Sequence, residues 1–129
     1  MDCPACSGPT IAFAVPADLR EYLPGDDPGA ALCTTCLELH PVADPPADPP
    51  EFAHVSDVFP DGEAAIPFAL LVGLVDSLAQ YRSELTALLE RVERAGADPL
   101  LALDRLADDP SVDAAADLRR RRHQLEQLL

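Results

Sequence analysis

Two pairs of cysteines constrain this chain more than any other feature of its sequence. The segments Cys3-Pro4-Ala5-Cys6 and Cys33-Thr34-Thr35-Cys36 share one spacing and contain all 4 cysteines. Each C-x-x-C segment can present two thiolates to one ion, and two such segments complete the tetrahedral Cys₄ shell that structural Zn²⁺ prefers. We therefore predict one Zn²⁺ per chain, with Cys3, Cys6, Cys33 and Cys36 as its ligands.

The residues around the cysteines refine this expectation. Gly8 follows the first pair, and we expect it to adopt a positive φ where the backbone folds its amides toward sulfur. After the second pair, Leu37 and Glu38 stand where a zinc ribbon often has a glycine, which leaves the geometry of that turn open. His40 could replace a cysteine, but four thiolates already complete the shell, so we predict a surface histidine.

Two other chemistries suit paired cysteines. A rubredoxin-like iron site uses the same tetrahedral S₄ geometry, but rubredoxins surround it with aromatic residues including Trp, and this chain has no Trp. A thioredoxin-like dithiol opens a helix after a strand, whereas here Cys3 has no strand before it. We favour zinc over both redox alternatives.

Composition bounds the class of protein. The chain has 129 residues, of which 48% are hydrophobic, enough for a modest core. Its longest apolar run, from Ala64 to Val75, is too short to cross a bilayer. The start of the sequence has neither the basic nor the apolar region of a secretion signal. We predict a cytoplasmic protein without membrane association, in a compartment that keeps thiols reduced and so favours metal binding over disulfides.

The charge balance is strongly acidic. The sequence has 23 Asp and Glu against 9 basic residues, for a net charge of −14, and every basic residue is Arg. So many carboxylates repel one another in dilute buffer. At 1 M salt the Debye length falls to about 3 Å, which largely screens this repulsion. We interpret the composition as salt adaptation. A role as a nucleic-acid mimic, or docking on a basic partner, fits less well because the acidic residues are spread along the whole chain.

The fold class we predict is α+β, in three parts. Residues 1–42 form a small zinc-ribbon or knuckle module with a strand over 10–15, a short helical stretch over 18–23 and a turn over 24–29. Residues 43–62 form an acidic, Pro-rich linker, in which Phe52, Val55, Val58 and Phe59 could pack as one helical turn against either neighbour. Residues 63–129 form a helical hairpin of three helices.

Periodicity and capping residues define the three helices. The first spans 67–95 and carries a heptad seam of apolar residues, namely Leu71, Leu74, Leu78, Tyr81, Leu85, Leu88 and Val92. Gly96 suits its C-terminal cap, and Asp98-Pro99 and Asp109-Pro110 suit the starts of the other two. The apolar face of the third helix is Val112, Ala115, Leu118, Leu125, Leu128 and Leu129.

A two-layer hairpin of these helices leaves part of the long seam uncovered. Two arrangements would cover it. One is a homodimer that pairs the seams of helix 67–95 from two copies, and the other is packing of the segment from Phe52 to Phe59 onto the seam. The sequence favours neither.

Few residues indicate other chemistry. His54 and His123 have no cysteine or histidine at ligand spacing, the serines lie in no nucleophile motif, and no phosphate-binding loop is present. We predict no catalytic residues and no small-molecule substrate. Arg119 to Arg122 form the one basic cluster, but consecutive residues ring a helix instead of forming a stripe. We favour a solvated, salt-bridged helix end over a nucleic-acid contact, with Asp117 and Glu126 as partners.

The paired C-x-x-C segments, the acidic linker and the helical tail together resemble a small haloarchaeal family of uncharacterised zinc-ribbon-type proteins. That resemblance implies lineage and no specific activity. Our leading hypothesis is a non-catalytic, zinc-binding interaction or adaptor protein with a protein partner. The first alternative is a transcription-related nucleic-acid-binding zinc ribbon, in which Arg20 would be the one basic residue among the first 62. The second alternative is a rubredoxin-like or dithiol redox protein.

Overall fold

The computed structural model describes residues 2–23, 25–114 and 116–128 and contains both strands and helices. Three antiparallel strands come first, β1 (Thr10–Ala14), β2 (Gly29–Cys33) and β3 (Leu39–Val42), with β2 in the centre. Four α-helices follow, α1 (Ala65–Leu74), α2 (Arg82–Arg94), α3 (Pro99–Ala107) and α4 (Leu118–Glu126). The predicted mixture of a small sheet and later helices is confirmed, while the zinc-ribbon assignment stays a prediction.

The sheet joins the two cysteine pairs. β1 pairs with β2 so that Thr10 lies opposite Cys33, and β2 pairs with β3 so that Ala31 lies opposite His40. A short 3-10 helix, Arg20–Tyr22, lies in the connection between β1 and β2. This matches the predicted strand and helical stretch. Pro24, which the sequence places in the turn after them, lies outside the described residues.

The predicted single helix over 67–95 is wrong. The chain forms α1 and then a 3-10 turn, Val75–Ser77, and α2 begins at Arg82. Every described side chain of α1 except Ile66 and Gly73 is buried, so this helix needs neighbours on all sides. One straight helix would leave much of that surface in water, whereas the break lets α2 fold back and pack against α1. The described residues of 63–129 therefore form four α-helices and not three.

The caps of α2 and α3 follow the sequence prediction. α2 ends at Arg94, and Gly96, with φ +95°, donates its amide to Glu93 O at 3.0 Å. The Ala97 amide reaches back to Val92 O at 3.2 Å, which completes a Schellman motif. Asp98 caps α3 by accepting a hydrogen bond from the Leu101 amide at 3.1 Å, with Pro99 at the first helical position.

The predicted start of the last helix is wrong. α4 begins at Leu118, where the Asp117 side chain accepts a hydrogen bond from the Arg120 amide at 3.2 Å. Asp109 instead accepts hydrogen bonds from Ser111 and Ser56, because its carboxylate satisfies a turn and not a helix start. Ala115 and Leu129, two residues of the predicted apolar face, lie outside the described residues.

One cluster of buried apolar side chains runs through all three predicted parts of the chain. Four aromatic rings mark its path, from Phe13 on β1 through Phe52 and Phe59 to Phe68 on α1. Successive ring centroids are 5.2, 4.9 and 4.9 Å apart. The segment from Phe52 to Phe59 thus packs between the sheet and α1, where Phe59 contacts Phe68. The division into 1–42, 43–62 and 63–129 is not itself tested by this packing.

The sheet and α1 approach each other very closely at one point. A Cβ placed on Gly73 of α1 would lie 2.5 Å from Leu39 Cβ on β3. Only glycine fits this contact without displacement, since real Cβ atoms do not approach so closely. Gly73 therefore sets the distance between the helices and the strand that follows the second cysteine pair.

Candidate metal centre

Both cysteine pairs fold into the same backbone turn. The Cys3 amide donates to Gly8 O at 2.8 Å, and the Cys33 amide donates to Glu38 O at 2.9 Å, five residues on in each case. The residue after the second cysteine of each pair, Ser7 or Leu37, has φ 64°. The second turn, whose geometry the sequence left open, is therefore equivalent to the first.

Gly8 has a role other than the predicted one. The positive φ belongs to Ser7, and Gly8 is needed for close approach instead. A Cβ on Gly8 would lie 3.0 Å from Thr35 Oγ1 and 3.3 Å from both Cys33 Sγ and Cys6 Sγ. Glycine at this position therefore allows the two turns to approach each other. The Thr34 amide, which donates to Pro9 O at 2.9 Å, links them further.

The structure brings the four predicted cysteines into one cluster. Their sulfur atoms all lie within 4.8 Å of one another. Across the two turns, Cys3 Sγ is 3.6 Å from Cys36 Sγ and Cys6 Sγ is 3.4 Å from Cys33 Sγ. None of the four is in a disulfide. A tetrahedral ion with metal–sulfur bonds of about 2.3 Å requires sulfur–sulfur edges of about 3.8 Å. The spacing of the sulfurs therefore fits a tetrathiolate metal site.

Backbone amides are directed at every sulfur of the cluster. Cys33 Sγ accepts from the Thr35 and Cys36 amides, each at 3.4 Å. Cys3 Sγ accepts from the amides at the matching positions, those of Ala5 and Cys6. The second sulfur of each pair accepts from the amide two residues on, Gly8 for Cys6 and Glu38 for Cys36. These donors stabilise negative charge on sulfur, which a metal-bound thiolate carries.

In each close sulfur pair, Cys3 with Cys36 and Cys33 with Cys6, one thiol has a lowered pKa and the other a raised pKa. Burial raises the pKa of Cys33, but the Cys36 and Thr35 amides outweigh it and bring the pKa to about 7. Burial also raises the pKa of Cys3, but hydrogen bonds from the Cys6 and Ala5 amides, the His40 ring and the Cys36 thiol together lower it.

The opposite partners are shifted the other way. The Gly8 amide lowers the pKa of Cys6, but the neighbouring Cys33 sulfur and burial outweigh it, so the pKa is raised. Burial raises the pKa of Cys36 despite the Glu38 amide, and the neighbouring cysteine sulfurs raise it further. Each close sulfur pair thus joins one thiol whose pKa is lowered to one whose pKa is raised. A cation that displaces the thiol protons would bring all four thiols to the thiolate form.

Exposure is uneven around the cluster. Cys3, Cys33 and Cys36 are buried, while Cys6 is exposed. A shell of four sulfurs leaves no open coordination position for a substrate, which is typical of structural and not catalytic zinc sites.

The structure places His40 differently from the prediction. His40, predicted as a surface histidine, has a side chain only 21% exposed, and its Nε2 lies 3.5 Å from Cys3 Sγ. The strand register explains this position. His40 pairs with Ala31, and Ala31 lies two residues before Cys33, so the side chains of His40 and Cys33 lie on the same face of the sheet. His54 and His123, which have no cysteine or histidine at ligand spacing in the sequence, are exposed.

Ion pairs surround the basic cluster of α4. Arg119 pairs with Asp108, Arg121 with Asp76 at 3.3 Å, and Arg122 with both Asp104 at 3.1 Å and Glu126 at 2.8 Å. The predicted Glu126 partner is thus present, whereas Arg121 pairs with Asp76 and not with Asp117. Three of the four guanidinium groups face carboxylates of this chain.

A family model described as a family of unknown function (DUF6276) matches residues 2–129, so the chain belongs to that family. No curated protein and no solved structure matches the sequence. Among the described residues, no helix combines the length and apolarity needed to span a membrane.

Proposed function

We propose that this member of the DUF6276 family is a non-catalytic, zinc-binding interaction protein, in which one Zn²⁺ holds the two cysteine turns together. The clustering of Cys3, Cys6, Cys33 and Cys36 at tetrahedral spacing carries the proposal. Zinc is our choice over iron because the chain has no Trp and backbone amides are the main donors to the sulfurs, unlike the aromatic shell of a rubredoxin. The haloarchaeal origin and the cytoplasmic location belong to the same proposal and rest on composition.

The metal would supply stability that the sheet lacks. β1, β2 and β3 have only 5, 5 and 4 residues, and strands this short need packing or a cross-link to stay paired. Structural zinc contributes on the order of 10 kcal/mol to small modules. Cys33 at the end of β2 and the turns on either side would fix the register of the sheet.

The predicted heptad seam is not free to bind a second copy of the chain. Among the described residues, the one large hydrophobic side chain classed as exposed is Leu101, at 44%. The heptad residues Leu71, Leu74, Leu85, Leu88 and Val92 are at most 5% exposed within the single chain. A homodimer through these buried residues would need α1 and α2 to open, so we favour a monomer that binds a protein partner through another surface.

The nucleic-acid alternative has less support. The carboxylates opposite Arg119, Arg121 and Arg122 already neutralise most of the basic cluster. At a net charge of −14, phosphate binding would have to overcome the field of the whole chain.

Native mass spectrometry with elemental analysis, on protein purified in high salt, tests the proposal. We expect one zinc per chain and a monomer mass. Cys33→Ser should lose the metal, while Ala5→Ser, an exposed change inside the first cysteine pair, should keep it. Iron with a visible absorption band would revive the rubredoxin-like alternative. Metal-free protein with an oxidisable cysteine pair would revive the dithiol alternative, and a dimer mass would restore the paired-seam arrangement.

A further inference from the structure

His40 is held next to the metal centre by the sheet. Its backbone pairs with Ala31 on β2, and because side chains alternate along a strand, its imidazole lies on the same face as Cys33. The ring reaches across to the first cysteine pair, where Nε2 is 3.5 Å from Cys3 Sγ. With 21% of its side chain exposed, the imidazole is largely shielded from competing water.

Two acceptors face the same ring nitrogen. Cys3 Sγ is 3.5 Å from Nε2, and Glu38 Oε2 is 3.9 Å from it. Both groups are anionic once the thiol is a metal-bound thiolate. A lone pair on Nε2 would be repelled by both, whereas an Nε2–H group is attracted by both. The surroundings therefore select the tautomer that carries its proton on Nε2.

We propose that His40 is a positioning residue of the metal centre, donating its Nε2–H to the Cys3 thiolate and thereby stabilising bound zinc. This rests on the proposed Cys₄ site. Four thiolates on Zn²⁺ leave a net charge of −2, and each N–H donor disperses part of it. The backbone amides supply such donors on both turns, and His40 adds a side-chain donor on the Cys3 side. Loss of comparable outer partners lowers metal affinity by about 10- to 100-fold.

Three variants separate the hydrogen bond from simple packing. His40→Leu removes the donor and should lower zinc affinity about 10-fold or more, measured by competition with a chromophoric chelator in high salt. His40→Gln places an amide N–H near the position of Nε2 and should restore most of that affinity. His54→Gln changes a histidine whose side chain is 70% exposed and should match the wild type.

A spectroscopic measurement on the unmodified protein needs no variant to fold. The ¹H–¹⁵N correlation spectrum of the imidazole nitrogens should show His40 protonated at Nε2 and protected from solvent exchange in the zinc-loaded chain. His54 and His123, both exposed, provide the reference for rapid exchange.

Several results would overturn the proposal. They are an Nδ1–H tautomer, unchanged affinity in a folded His40→Leu variant, equal losses in the Leu and Gln variants, and a His40 nitrogen bound to zinc itself. If the wild-type chain holds no zinc, the proposed function fails and this proposal fails with it. If wild type and His40→Leu hold zinc equally firmly, only the role of His40 fails.

Discussion

Phe52 provides the sharpest test of how the chain is held together. Its side chain is 3% exposed, and its ring lies between those of Phe13 and Phe59, at centroid distances of 5.2 and 4.9 Å. Phe52→Ala would leave a ring-sized cavity between the sheet and the helices. Buried Phe→Ala changes cost about 3–5 kcal/mol, a large share of the roughly 5–15 kcal/mol that keeps a domain folded.

Urea unfolding at a fixed high salt concentration measures this loss. Far-ultraviolet circular dichroism reports the helices, and release of bound zinc to a chelator reports the cysteine turns. Because one apolar cluster joins these regions, we expect both transitions to move together to lower urea. Phe52→Leu should fall between wild type and Phe52→Ala.

The matched control is His54→Ala, on the same 3-10 helix but with a side chain 70% exposed. We expect it to change stability by no more than about 0.5 kcal/mol. A cost of less than about 1 kcal/mol for Phe52→Ala, or a shift of one transition without the other, would show that Phe52 does not join the sheet to the helices.

Three other perturbations test packing, a loop hydrogen bond and charge. Gly73→Ala should destabilise by a net of about 1–2 kcal/mol in urea, because overpacking against Leu39 outweighs the gain in helix propensity; a variant as stable as wild type would count against the close contact. Hydrogen bonds from Ser111 and Ser56 lower the pKa of Asp109, so their stabilisation is present above the unfolded pKa of about 4 and lost as pH falls through the folded pKa. Ser56→Ala should therefore cost more unfolding free energy at pH 7 than in acid, where only the hydrogen bond from the Val58 amide to Ser56 Oγ is still lost; a pH-independent difference would contradict this. Raising KCl from about 0.2 to 2 M should raise the melting temperature by screening the net charge of −14, and a flat or falling melting temperature would exclude salt adaptation.

The cysteine cluster was predictable because its signal is local and chemical. Two identical spacings fix two identical turns, and four thiolates match one ion. Asp98 and Gly96 were predictable for the same reason, since a cap depends on a few neighbouring residues. The sequence could not show that Ser7 and Leu37 would adopt the positive φ, because the turn imposes that conformation on whatever residue follows the second cysteine.

Two of the wrong predictions, the single helix over 67–95 and the surface position of His40, depend on packing between residues far apart in the sequence. The heptad spacing from Leu71 to Val92 is compatible with one helix or with two that fold back, since a break near Ser77 leaves the spacing on either side unchanged. The two arrangements differ in whether α1 is buried on all sides, and the spacing of apolar residues does not show this. His40 was misplaced for a related reason, because its contact with Cys3 depends on strand register across 37 residues.

X-ray absorption at the zinc K-edge, on protein purified in high salt without added metal, tests the tetracysteine centre. We expect a first shell of four sulfurs at about 2.3 Å and no nitrogen or oxygen ligand. A shell with one nitrogen, fewer than four sulfurs, or no bound zinc would contradict the claim that Cys3, Cys6, Cys33 and Cys36 form one closed metal centre.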